Sequence, residues 1–123
     1  MKILKLSQIF TILFAVSCFA QVDWTWRNPL PTNHDLYSII YGNSQYVAVG
    51  ERGTILTSSD GVIWRHRGFW TFDWLTSVSY GNGQYVAVGG MTDHGLIITS
   101  VDGVTWTNRS SGITNQLISI IYG

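Results

Sequence analysis

The sequence predicts an all-β fold built from repeated four-stranded antiparallel sheets, and three observations predict it. LYSIIYGNSQYVAVG at 36–50 returns as LTSVSYGNGQYVAVG at 75–89, and LISIIYG opens a third copy at 117–123. Each copy divides into short runs rich in β-branched and aromatic residues, punctuated by Gly, Asn, Ser and Asp, the pattern of strands and turns. Runs such as Tyr46-Val47-Ala48-Val49 are apolar at every position, and a strand of that kind has both faces covered by other layers.

Within a repeat the elements follow in order. LYSIIY is strand one, YVAVG strand two, TILTS strand three and VIWRH strand four. Gly42-Asn43-Ser44 and Gly81-Asn82-Gly83 supply the positive φ of a tight hairpin between strands one and two, and Ser-x-Asp-Gly turns strand three into strand four. The offset is 39 residues from Tyr41 to Tyr80 and 42 from Tyr80 to Tyr122. Aligning GERGTILTS (50–58) with GGMTDHGLIITS (89–100) puts the three extra residues at Met91-Thr92-Asp93-His94, between strands two and three.

A four-stranded unit recurring every forty or so residues is the signature of a β-propeller blade. The expected division is 21–35 as the last strand of an incomplete blade with its connector, 36–74 as one blade, 75–116 as a second and 117–123 as the start of a third. Asp23-Trp24-Thr25-Trp26-Arg27 reads as that last strand, with Trp26 lying 38 residues before Trp64. Two blades do not close a ring, which takes about four. The chain is therefore expected to be a stretch of a longer repeat protein or to assemble from copies, and open blade edges favour self-association.

Export is read from the first residues. Lys2 and Lys5 precede an apolar run from Ile9 to Ala20 that ends in small residues, the layout of a signal peptide covering 1–20. The run is shorter than the roughly 20 apolar residues of a membrane helix, so no transmembrane span is expected. Cys18 is the only cysteine. Cleavage after Ala20 removes it and leaves a secreted or periplasmic chain without a disulfide; in the alternative, AVSC is a loose lipoprotein signal and Cys18 carries a lipid anchor. From residue 21 onward five arginines face seven acidic groups, a net charge of −2. The arginines are scattered, which argues against nucleic acid as a partner.

SSDGVIW and SVDGVTW resemble the Asp-box, the Ser-x-Asp-x-Gly-x-Thr-Trp hairpin of BNR-like propellers, in a variant one residue shorter between Asp and Trp. Sialidase-like, sortilin-like and photosystem II assembly factor-like propellers carry it. The resemblance covers residues 23–123 and implies the propeller fold; function it leaves open, because these propellers include hydrolases, receptors and assembly chaperones. Ser58, Asp60, Gly61 and Trp64, with Ser100, Asp102, Gly103 and Trp106, are read as structural. The aspartates accept backbone N–H groups in their own turns, the glycines permit the reversal and the tryptophans cover the hairpin.

Candidate binding residues come from the opposite end of the blades, where loops between strands two and three meet the connectors. GFWTFDW (68–74) replaces the PLPTNHD and SGITNQ of its counterparts. Trp70, Phe72 and Trp74 are read as stacking platforms, with Asp73, Asp93 and His94 as hydrogen-bonding partners; Phe69, Glu51 and Arg52 fall beside them. The competing reading is that these aromatics only fill the joint between blades. No catalytic residue, metal or cofactor is assigned, although Glu51, Asp73 and Asp93 share one end of the repeat and His34-Asp35 and Asp93-His94 are metal-compatible in composition. The expected function is an exported, non-enzymatic scaffold that binds protein or carbohydrate; the alternative is part of a secreted glycosidase.

Overall fold

Residues 30–123 are described by the computed structural model, and they form two four-stranded antiparallel sheets with almost no helix. The first sheet is β1 (Leu36–Gly42), β2 (Gln45–Gly50), β3 (Ile55–Ser58) and β4 (Arg65–His66), in that order. The second is β5 (Trp74–Gly81), β6 (Gln84–Met91), β7 (His94–Ser100) and β8 (Thr107–Arg109). The expected signal peptide, Cys18 and the Trp24–Trp26 segment lie outside the described residues. Among the described residues, no helix is long and apolar enough to cross a membrane.

Strands one to three lie where the sequence puts them, and strand four is shorter. VIWRH reduces to Arg65–His66, because the amides of Val62 and Ile63 turn inward to the Asp60 carboxylate and cannot join a ladder. The hairpins also shift by a residue. Gly42 pairs with Gln45, so Asn43 (φ 46°) and Ser44 (φ 60°) form the two-residue loop; in the second sheet Asn82 (φ 48°) and Gly83 (φ 77°) do the same.

Gly42 is needed for packing and not for the turn. A Cβ there would collide with the Tyr80 ring, and one on Gly81 would collide with Tyr122. These two contacts belong to one repeating joint. The Val78 amide donates to Ser38 Oγ (3.2 Å), and a repeat later the Ile120 amide donates to Ser77 Oγ (3.3 Å). The 117–123 segment thus sits on the second sheet as the second sits on the first, but it joins no ladder. In both sheets this motif pairs with the strand that follows it.

Both faces of β2 are covered, as its unbroken apolar run requires: Val47, Ala48 and Val49 are buried. Val47 and Val49 join Ile55, Leu75, Val78, Tyr85, Ala87, Leu96 and Ile98 in a core that runs through both sheets. Tyr85 donates its hydroxyl to the Gly42 carbonyl across the joint, which satisfies the one polar atom of a fully buried ring.

Candidate functional site

The antiparallel order gives each sheet two ends of different character. At one end lie the β3–β4 and β7–β8 turns, and they are chemically the same. Asp60 Oδ1 accepts the amides of Val62 (2.8 Å) and Ile63 (2.9 Å) and the Ser58 hydroxyl (3.0 Å), while Ser58 Oγ accepts the Gly61 amide (2.8 Å). Asp102 repeats this with Val104 (2.8 Å), Thr105 (2.9 Å) and Ser100 (3.0 Å), and Ser100 Oγ accepts the Gly103 amide (2.8 Å).

Gly61 (φ 72°) and Gly103 (φ 73°) take the left-handed conformation that closes each loop. Trp64 and Trp106 lie against Tyr46 and Tyr85 at 6.3 Å between ring centroids, and each donates its indole N–H to the carbonyl of the loop glycine. The amides of Ile63 and Val62 hold the Asp60 carboxyl below its ordinary value, and those of Thr105 and Val104 do so for Asp102. In each turn the Asp Oδ1 and Ser Oγ atoms are spent on the turn itself, and the Asp102 carbonyl also accepts the Gln45 side-chain amide (2.7 Å) from the other sheet.

The other end gathers residues that do not repeat. The β2–β3 connection is one tight turn, Glu51–Gly53, with Arg52 (φ 51°) and Gly53 (φ 65°) left-handed. Connector 68–73 clips onto it: the Phe69 amide donates to the Gly53 carbonyl (2.9 Å) and the Gly53 amide to the Asp73 carbonyl (2.9 Å). Phe69 turns inward against the core, which makes it joint filler. Trp70 is fully exposed and Phe72 is 80 % exposed. Trp74 begins β5 and tilts against Tyr37 at 6.1 Å, and the Tyr37 hydroxyl donates to Glu51 Oε1 (3.1 Å).

The three inserted residues lengthen β6 and β7 into a taller hairpin with Met91 paired to His94. That height carries the His94 ring to the connector. Its Nε2 lies 2.9 Å from Asp73 Oδ1 and its Nδ1 2.8 Å from Asp93 Oδ1, while Asp73 also accepts the Thr71 hydroxyl (2.6 Å). The Asp93 hydrogen bond and the Asp73 charge raise the His94 pKa, and the same bond lowers that of Asp93. Both ring nitrogens are committed to carboxylates, so the cluster is a clip between hairpin and connector. Among the described residues, no group of three or more His, Cys, Asp or Glu is arranged to hold a metal.

The six residues singled out for binding therefore divide into two places. Asp73, Asp93 and His94 meet in the clip, and Trp74 lies at the start of β5. Trp70 and Phe72 line a groove of about 540 Å³ together with His34, Arg52, His66 and Arg67. His66 and Arg67 are additions that the loop order of the sequence does not expose. Repeat comparison holds a signal for the first, since the second repeat has Asn108 at that place. Gly68 is part of the same device: a Cβ there would stand 2.7 Å from the His66 ring. Comparison with known protein families, with curated proteins and with solved structures finds no match to this chain.

Proposed function

We propose that the chain is part of an exported β-propeller of the Asp-box type, each four-stranded sheet a blade, serving as a non-enzymatic scaffold that binds carbohydrate or protein outside the cytoplasm. One contrast carries this reading. The Ser and Asp hydrogen bonds of the turn end repeat between the sheets and are made within each turn, while the connector end breaks the repeat with exposed aromatics beside Arg52. A scaffold with variable loops at one end is how binding sites are commonly mounted on repeat folds. Asp73 and Asp93 are both engaged by His94, which favours binding over hydrolysis.

The experiment is a screen of the full chain against glycans and cell-envelope fractions, followed by two substitutions. Trp70→Ala is expected to weaken any ligand found by about tenfold or more, the scale of losing one aromatic anchor. Val101→Ala, exposed at the turn end, is expected to leave binding unchanged. Equal effects from both would reduce the connector aromatics to blade packing.

A further inference from the structure

The groove beside connector 68–72 has a composition that points to one class of ligand. Among the residues that line it there is no carboxylate, although the full chain balances seven basic against seven acidic residues. Arg52, Arg67, His34 and His66 line it beside Thr54 and Thr71, and the aromatic residues Trp70 and Phe72 supply most of its apolar wall with Phe69. Its volume of about 540 Å³ falls in the range of roughly 300–1,000 Å³ usual for small-molecule sites.

The residues that make this groove are largely those the repeat does not need. Arg67 bonds Thr57 through Nε (3.1 Å) as Arg109 bonds Thr99 (2.9 Å); that bond belongs to the scaffold, so the charge that the groove adds to the repeat is that of Arg52. Trp70, Phe72 and His66 are replaced in the second repeat by Gly112, Thr114 and Asn108, and the Arg52 turn is replaced by the β6–β7 hairpin. Arg52 is also held in the left-handed region (φ 51°, ψ 43°), a conformation that is strained for a non-glycine residue and tends to persist at ligand sites.

Resting on the binding-scaffold reading above, we propose that this groove binds an acidic sugar. Arg52 takes the anionic group, through the forked donors that suit carboxylate and phosphate, and the ring face of the sugar stacks on Trp70 against Phe72. A neutral sugar would meet only half of this surface.

The test titrates the full chain with glucuronate, glucose 6-phosphate and glucose, following ligand signals by saturation-transfer NMR at low and high salt. Both acidic sugars are expected to bind at least about tenfold tighter than glucose, to weaken as salt rises, and to differ from each other according to which anion the fork prefers. Arg52→Gly keeps the left-handed turn while removing the guanidinium, and is expected to abolish the preference for acid over glucose; Arg52→Lys should restore part of it. Trp70→Ala should weaken all three. Equal binding of glucose overturns the anionic class. Acidic sugars bound equally by wild type and by the Arg52 and Trp70 variants overturn the groove as the site, yet leave a binding scaffold. Failure of all three sugars overturns the proposal, and the envelope-fraction screen then decides separately whether the scaffold binds anything else.

Discussion

Trp64 and Asp60 illustrate how differently two residues of one turn contribute. Trp64 removes apolar area from water against Tyr46, and its truncation leaves a void; for a half-buried ring the cost is about 2–4 kcal/mol. Asp60 orders two amides that water can otherwise reach, so its loss costs only a fraction of that. Urea melts of Trp64→Ala, Trp106→Ala and Asp60→Ala are expected to rank in that way, and an equal fall for the aspartate variant would give the carboxylate a larger role. Because the folded Asp60 carboxyl titrates below its ordinary 3.8, its contribution is present above that pH and fades as the pH falls through the lowered value. Ser44 yields an opposite prediction. It holds φ 60° where the second repeat has Gly83 at φ 77°, so Ser44→Gly is expected to raise stability by about 1 kcal/mol in the same melts. A loss would mean that the Ser44 side chain makes a contact worth more than the backbone strain.

The taller β6–β7 hairpin and connector 68–73 are joined by the His94 ring, and this joint depends on pH. The folded His94 pKa lies above the ordinary 6.5, so the link is fully present below that pH and is lost as the pH rises through the raised folded value. Protection at Asp93, His94 and Asp73, taken relative to the base-catalysed intrinsic exchange rate, is expected to fall between mildly acidic and mildly alkaline buffer, and His94→Gln is expected to remove that dependence. An unchanged profile in the variant would assign the change to another group. At this scale the strands were legible in the sequence, since period and repetition mark β1 to β3 and β5 to β7 directly. The length of β4 was not, because Val62 and Ile63 look like strand residues and only the Asp60 hydrogen bonds withdraw their amides. The clip was half legible: loop order brought Asp73 near the insertion, whereas the ring geometry of His94 depends on hairpin height. The groove was the least legible, because His34, Arg52 and His66 meet Trp70 only through turns whose shape rests on Gly53 and Gly68.

Across the whole molecule, repetition and departure from it occupy opposite ends of the same sheets. Gly42 under Tyr80 and Gly81 under Tyr122 set an identical joint from one repeat to the next, so the scaffold fixes where the connector stands and leaves its side chains free to vary. The central claim is that binding belongs to the connector end. Hydrogen–deuterium exchange of the full chain with and without an envelope ligand tests it most directly. Protection is expected to rise at residues 52–54 and 66–72 and to stay level in the turns at 59–63 and 101–105; protection confined to those turns, or no change at 66–72 on saturation, would contradict it.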